Sequence, residues 1–420
     1  MTQSAVLCIG AGPLQVPLLL EAKQMGLYVI AVDGNIEAIG RSIADRFVNL
    51  DIYAKREIQS WVALWQRDVP PGGQGHPIIG VVTAGADVAP TVAIAAATAR
   101  VRGIPILVAE RSHNKAVVRA TVAEKINGYY QPRWIHHMPG NKYTETFYKV
   151  IESTIGYPCV LKPLEQRASR GITILRQPDD LDFAVRKVLQ YGDEYLVEEC
   201  MTGSEHSVES MLVEGRPIWF NVVDRRFHYE HGIPLETGHV NPSKLSSLQT
   251  LRLRIMLITI AHCLGVCWGP FKMDIMWTPD GPRLLEATCR LSGGWDCQGT
   301  SPLTGRHPLR MLLQMSCGLD TIEDIPTANG YAACAAILPK QHGTIHALPG
   351  NDILPQAPSA DTTIHEILWA AKVGDVLAPI THCAQRPGFV LSWANTYEHA
   401  WRGAKEAADT LADHIVIRNE

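Results

Sequence analysis

Paired cysteines are missing. Ten cysteines are scattered through 420 residues and none stands in a Cys-x-x-Cys pair. Cys263 and Cys267 have no His or Cys partner at zinc spacing. That excludes a thiolate zinc module and points to separate buried thiols in a reducing compartment. An excess of positive charge is missing too. Lys and Arg total 38 against 42 Asp and Glu, a formal net charge of −4, so the footprint of a nucleic-acid binder is absent. No apolar run is long enough to span a bilayer. The longest tract, Ile78 to Val108, is interrupted by Asp87, Arg100 and Arg102 and reads as strand, helix and strand. The opening MTQSAVLCIG has no basic leader region and enters a strand, so a cytoplasmic location without a signal peptide is expected. The dinucleotide fingerprint is incomplete. GAGPLQ supplies Gly10 and Gly12, but Gln15 stands where the third glycine belongs. A nicotinamide-dependent oxidoreductase built on that turn and on Asp33 is therefore disfavoured.

What is present concentrates in residues 266–296, VCWGPFKMDIMWTPDGPRLLEATCRLSGGWD. FKMDIMW and RLLEAT alternate as strands around TPDGP, and Pro-Asp-Gly is strong turn chemistry. Alternate residues share a face, so Asp274 lies with Lys272 and Met276, and Glu286 with Leu284 and Thr288. Two carboxylates on the two arms of a hairpin can meet across the ladder. Like charges held that close repel unless a cation sits between them. Such a pair with an open side suits Mg²⁺, which keeps room for phosphate oxygens. Arg290 and the turn Ser292-Gly293-Gly294 follow directly, offering a guanidinium fork and backbone amides to an anion. An ordinary hairpin with an edge ion pair is the plain alternative.

Upstream, the first 110 residues alternate strands and helices as a small doubly wound domain, with a strand expected at Ile106–Val108. Residues 111–125 read as one helix with Lys115 near its start, and 126–145 as mainly loop. Lys162 lies inside the strand Cys159–Pro163, ahead of a polar loop from Glu165 to Arg170 and a return strand from Gly171. A buried lysine needs an anion, and a glycine-containing loop can fold over phosphates; a lysine snorkelling from an edge strand is the plain alternative. The strand at Tyr195–Glu198 stops at a hinge, Glu199–Thr202, whose backbone can read an adenine edge. Glu205, just past it, can accept from two ribose hydroxyls or stand as a surface carboxylate. Arg225 and Arg226 form a basic pair. Residues 246–264 read as an apolar helix, 325–330 as a boundary, and 331–420 as strands with a terminal helix. No internal repeat is visible.

Together these motifs, in this order, resemble the ATP-grasp superfamily, and within it the carboxylate–amine ligase branch. The resemblance covers most of the chain. It implies an α/β and α+β architecture: a Rossmann-like pre-ATP-grasp domain over 1–110, an ATP-grasp domain over 111–325 with a lid over about 126–200, and a small C-terminal α+β subdomain over 326–420. It implies ATP and Mg²⁺, with Mn²⁺ as a substitute. Lys115 and Lys162 match the phosphate-contacting lysines, with Ser169 and Gly171 in the loop over the phosphates. Glu198, Glu199 and Met201 match the adenine hinge, and Glu205 the ribose glutamate. Asp274 and Glu286 match the metal carboxylates and Arg290 the catalytic arginine, with Lys162 beside it in catalysis. Arg225, Arg290, Ser292, Gly293 and Gly294 are assigned to substrate. The family's E-x-N-x-R reads here Glu286-Ala287-Thr288-Cys289-Arg290, so Thr288 stands where the metal-binding Asn is usual. That leaves the number of Mg²⁺ ions open. The implied activity joins an amino-acid-like carboxylate to an amine through an acyl phosphate, giving ADP and phosphate. The alternative in the same fold activates bicarbonate as carboxyphosphate, and a nucleotide-sensing scaffold without catalysis is a third reading. Small-molecule substrates are the expected partners, a homodimer is compatible, and neither nucleic acid nor membrane is expected.

Overall fold

The computed structural model describes residues 3–67, 75–138, 145–164, 169–230, 233–319 and 327–418. The glycine-rich segment at 71–74, the start of the helix expected from Tyr143 and residues 165–168 of the loop after Lys162 lie outside the described residues.

The first unit is a parallel sheet with helices on its faces. It contains β1 (Ala5–Ile9), α1 (Val16–Gln24), β2 (Tyr28–Asp33), β3 (Arg46–Asn49), α2 (Lys55–Arg67), β4 (Ile78–Val82) and α3 (Ala89–Ala99), with strand order β3-β2-β1-β4. Continuous apolar runs such as AVLCI, buried at every position, are what strands covered on both faces require. The GAGPLQ turn spends its own amides. Ala11 N–H donates to Asp33 (2.8 Å) and Gly12 N–H to Gln15 (3.0 Å). Gln15, in the third-glycine position, therefore closes the turn that a dinucleotide would need open.

The strand expected at Ile106–Val108 is instead the first turn of α4 (Ile106–His113). Pro105 precedes it with φ −57°, the angle that suits entry to a helix, and Leu107 is left exposed. The single helix expected over 111–125 is two. Asn114 (φ −96°, ψ 116°) breaks it, and its side chain accepts from Ala116 and Val117 N–H. This N-cap makes Lys115 the first residue of α5 (Lys115–Ile126).

A second, antiparallel sheet forms over the segment expected as a lid. Its elements are β5 (Trp134–His137), α6 (Glu145–Thr154), β6 (Cys159–Pro163), β7 (Thr173–Leu175), α7 (Leu181–Val188) and β8 (Tyr195–Glu199), ordered β5-β8-β6-β7. β5 falls where the sequence suggested loop.

The third sheet carries the hairpin. β9 (Ser204–Val213), β10 (Arg216–Glu230), β11 (Ile233–Asn241), α8 (Ser247–Leu264), β12 (Gly269–Thr278), β13 (Gly281–Thr288) and α9 (Pro308–Cys317) come first. β14 (Tyr331–Ile337), β15 (Gly343–Ala347), β16 (Thr363–Trp369), β17 (Val376–Leu377), β18 (Gly388–Ala394), α10 (Tyr397–His414) and β19 (Val416–Arg418) follow. The sheet has eight strands in the order β13-β12-β9-β10-β11-β14-β18-β16, and β17-β15-β19 form a small separate sheet. The break expected near 325 does not interrupt the large sheet, because β14 pairs with β11. β16 was not anticipated from the sequence. One face of β9, β12 and β13 packs Val208, Phe271, Met273, Ile275 and Leu284 with the apolar side of α8. The other face is left for polar residues.

Gly203 connects the hinge to β9 with φ +156°, and a Cβ there would lie 2.0 Å from Trp277 O. Gly203→Ala must push β9 off β12. Chemical denaturation is expected to show a loss of about 2–3 kcal/mol; an unchanged midpoint would contradict the close approach.

Candidate active site

The polar face of three adjacent strands sets the site. Asp274 pairs with Glu286 across the hairpin ladder, and Lys272 with Thr288. On the other side of β12, Asp274 lies opposite Ser207, Lys272 opposite Glu209 and Met276 opposite Glu205. Alternation along β9 and β12, with a bulge on β13 that turns Leu284 to the apolar face instead of leaving it beside Glu286 as expected, gathers four carboxylates and a lysine on one surface.

Asp274 is buried, and its two oxygens differ. Oδ2 receives Lys272 Nζ at 2.8 Å and lies 3.1 Å from Arg225 Nη1. Oδ1 is buried without a hydrogen-bond partner, and a carboxylate oxygen in that state calls for a cation. Across the ladder Glu286 keeps a third of its side chain exposed and receives Lys115 Nζ at 3.0 Å. Burial works to raise the Glu286 carboxyl, but Lys115 and Lys272 outweigh it and hold it at about 2. Glu286 therefore stays ionised at neutral pH. No group of three or more His, Cys, Asp or Glu able to hold a metal occurs among the described residues. Two carboxylates with an orphaned oxygen fit Mg²⁺, which takes few protein ligands and completes its shell with water and phosphate.

Lys162 and Glu198 are buried together as a salt bridge, and Arg119 Nε reaches the same carboxylate at 2.7 Å. One carboxylate serves two cations. Burial would raise Glu198, yet Arg119 and Lys162 hold it below the usual carboxylate range. Burial likewise pushes Lys162 down, Glu198 opposes that, and Arg119 and Lys115 add to the depression. The trio keeps one uncompensated positive charge in a buried place, which favours an anion arriving beside it. Glu198 was expected to serve the adenine hinge; its side chain instead faces this trio. In the hinge proper, Glu199 N–H goes to Arg133 O and Cys200 N–H to Pro158 O, while the Glu199 carboxylate takes Arg133. Met201 N–H has no such bond among the described residues.

Glu205 is not a surface carboxylate. Its side chain is 12 % exposed, and the Tyr229 hydroxyl donates to it at 2.6 Å, as a ribose hydroxyl would. Burial raises its carboxyl, with Arg225 pulling the other way. The basic pair divides, because neighbours on a strand face opposite ways. Arg225 turns to the carboxylates, with Glu236 at 2.8 Å and Asp274 at 3.1 Å. Arg226 turns to the other face, over the Trp401 ring at 4.4 Å.

Arg290 lies 3.4 Å from Asp87, and Thr288 Oγ1 donates to the same Asp87 oxygen at 3.3 Å. His113 stands 3.5 Å from it. Asp87 comes from the loop after β4, so the first unit reaches into the site. Ser292 does not offer its donors to solvent, contrary to the sequence expectation. Its N–H goes to Glu209 (2.6 Å) and its hydroxyl to Asp296 (2.8 Å). The N–H groups of Gly293 and Gly294 carry no hydrogen bond among the described residues. Gly293 sits against Gly85, where a Cβ would meet Gly85 O at 2.8 Å. At the loop after Lys162, Ser169 lies 3.7 Å from Cys383 Sγ, and Gly171 (φ +73°) packs on Tyr191.

Sequence reasoning passed over Asp87, His113, Arg119, Glu209, His239 and Asp296. Glu209 is fully buried, and burial together with Asp296 raises its carboxyl. Burial acts on Asp296 as well, but His239 (2.9 Å) and Ser292 overrule it and hold it far below the carboxylate range. The two acids are pushed in opposite directions, and their bonds to Ser292 fix the turn. Only Glu209 carried a signal, four residues from Glu205 on one strand face. The others depend on long-range packing.

Thr288 offers one hydroxyl where the usual Asn offers a carbonyl oxygen and an NH2 group. Thr288→Asn is expected to keep activity and to leave Mn²⁺ affinity, read by electron paramagnetic resonance, equal or higher. Complete loss of activity would show that the bond to Asp87 is what matters at this position.

Residues 155–298 match the family model described as the ATP-grasp domain. The D-alanine–D-alanine ligase of Aromatoleum aromaticum is 27 % identical over 179 residues, 42 % of this chain and 54 % of that protein. The chain spans about half the length of the curated relatives it matches. Among solved structures, the L-amino acid ligase from Bacillus licheniformis superposes with a TM-score of 0.79 at 21 % identity, covering 100 % of both chains. The phosphoribosylglycinamide synthetase from Anaerococcus prevotii gives 0.73 at 16 % identity, again over 100 % of both. Those two likenesses concern the fold. No helix among the described residues is long and apolar enough to cross a membrane. The hairpin carboxylates, the two lysines and the hinge stand in one order along the chain, and residues 155–298 of it match the ATP-grasp domain.

Proposed function

We propose that this protein is an ATP-dependent ligase that joins an amino-acid-like carboxylate to an amine through an acyl phosphate, with ADP and phosphate as products. One observation carries the reading. Asp274 and Glu286 face each other across β12 and β13 with one buried oxygen unpartnered, and Lys115, Lys272 and Arg225 contact this pair. A carboxylate is a poor acyl donor at neutral pH, so the site must neutralise charge rather than supply covalent chemistry.

Asp274 and Glu286 would hold the metal, which would supply positive charge to neutralise phosphate oxygens. Lys115 leaves Glu286 to meet phosphate, and Lys162 does so from its two-cation trio. Met201 N–H and Glu205 hold the nucleoside, with Glu199 placing the hinge. Ser169 and Gly171 close over the phosphates and exclude the water that would hydrolyse an acyl phosphate. Arg290 stabilises charge on the transferred phosphoryl group and then on the tetrahedral oxyanion. The amides of Gly293 and Gly294 face the acyl group. Ser292 acts through them by fixing the turn, and Arg225 keeps Asp274 in place and bounds the substrate side. The amine attacks the acyl carbon, a C–N bond forms, and the C–O bond to phosphate breaks. A small-molecule carboxylate and amine are the partners, in the cytoplasm, with a homodimer compatible.

Hydroxylamine in place of the amine tests the intermediate. With Mg²⁺-ATP and the right amino acid, hydroxamate should form together with phosphate. Phosphate released on bicarbonate alone, with no hydroxamate from any amino acid, would select carboxyphosphate chemistry instead.

A further inference from the structure

A second cavity lies away from the carboxylates, where the connection out of α5 crosses the tip of the hairpin. It measures about 150 Å³ and is walled by Tyr129, Tyr130, Arg252, Ile255, Asp280 and Arg283, with Pro282 at its edge. Three of these residues are charged, and none has an ion-pair partner among the described residues. Arg252 and Asp280 face solvent and Arg283 is half-buried, so all three charges are open to a ligand.

Both guanidinium groups are held in position. Arg252 lies over the Trp277 ring at 5.3 Å. Its Nη2 stands 2.6 Å from where a Cβ on Gly281 would be, so the guanidinium lies close over the hairpin turn. Arg283 Nη1 donates to Tyr129 O at 2.6 Å. The Tyr129 and Tyr130 rings meet edge to face at 4.8 Å. Their stiffness and the apolar faces of Ile255 and Pro282 make the remaining wall. At about 30 Å³ per water in the liquid, the space admits on the order of five to ten non-hydrogen atoms.

We propose that this cavity binds a small free amino acid as an effector, apart from the ligase site. Arg252 and Arg283 take the carboxylate, Asp280 takes the ammonium group, and Ile255 with the tyrosines takes a short apolar side chain. A simple anion would leave Asp280 opposed to it, and a simple amine would face two guanidiniums; the zwitterion satisfies all three charges. The cavity is also wired to the site. Leu284 N–H donates to Tyr130 O at 2.6 Å, two residues before Glu286 on β13, and Gln131 Nε2 donates to Arg119 O at 2.9 Å. A ligand bracing Tyr129 and Tyr130 therefore acts on the strand that carries Glu286 and on the residue that holds Glu198.

Equilibrium dialysis with L-alanine, L-valine and L-leucine tests the assignment on the full chain. Wild-type protein should bind at least one of them saturably, and propionate and isobutylamine should each bind at least about tenfold more weakly. The double substitution Arg252→Gln, Asp280→Asn should remove one bound equivalent or weaken it by at least about tenfold, while basal phosphate release without effector is unchanged. No saturable binding of any of the three, or an equivalent count and affinity that the double substitution leaves unchanged, would overturn it. Arg290→Gln separates the two sites: it acts on an equivalent bound for ligation, so failure there bears on the ligase reading and leaves the cavity result standing.

Discussion

Glu286→Gln should abolish turnover, by about a thousandfold or more, while the protein remains folded. The glutamine keeps the size and one oxygen of the side chain but removes the charge paired across the ladder with Asp274. Loss of a single group that stabilises transferring charge in other enzymes costs on the order of 10²–10³ in rate, and here a proposed metal ligand goes with it. Lys115 also loses its carboxylate at 3.0 Å. Nucleotide affinity in the absence of divalent metal should therefore hold or rise, because one negative charge near the phosphates is gone. Rate measurement at saturating ATP and Mg²⁺, with circular dichroism for the fold, decides it. Retained activity would remove Glu286 from the site.

Glu198→Gln should be the most destabilising single change outside the apolar core. It leaves Arg119, 2 % exposed, and Lys162, 7 % exposed, facing each other without an anion. Removing one member of a buried ion pair costs about 3–5 kcal/mol, and urea denaturation should show a loss of that order at pH 7. The pH dependence has a defined sign. The folded Glu198 carboxyl lies below its unfolded value, so its contribution is fully present above the ordinary glutamate value of about 4.3 and fades as pH falls through the folded one. Wild type and variant should converge in stability on acidification below that range. Equal stability at pH 7 would mean that the trio is not paired as described.

The sequence was legible where signals are local. Pro-Asp-Gly and strict alternation placed Asp274 and Glu286 on opposite arms, and the ladder sets them directly across from each other. Gly265 ended α8 as expected. Misreadings arose where two local signals competed. Val and Ile favour strand, but Pro105 and the cap at Asn114 decided for two helices between 106 and 126. β16, with residues such as Glu366 and His365 on an edge strand, lacks the apolar run that marks a buried one. In the site, the motif residues could be named, but their partners could not. Arg119 sits on an otherwise ordinary helix and becomes a ligand of Glu198 only when α5 packs beside β8. Asp87 reaches Arg290 across 203 positions of chain. Ser292 looked like an anion-binding donor because nothing local reveals that Glu209 and Asp296 already use it.

The most direct measurement is phosphate release from Mg²⁺-ATP by the purified protein, screened over single amino acids, amino-acid pairs and bicarbonate, with Glu286→Gln as the blank. Release that requires an amino-acid carboxylate together with an amine, and that vanishes in the blank, is the expected result. Release on bicarbonate alone, or release that survives in the blank, would contradict the ligase assignment.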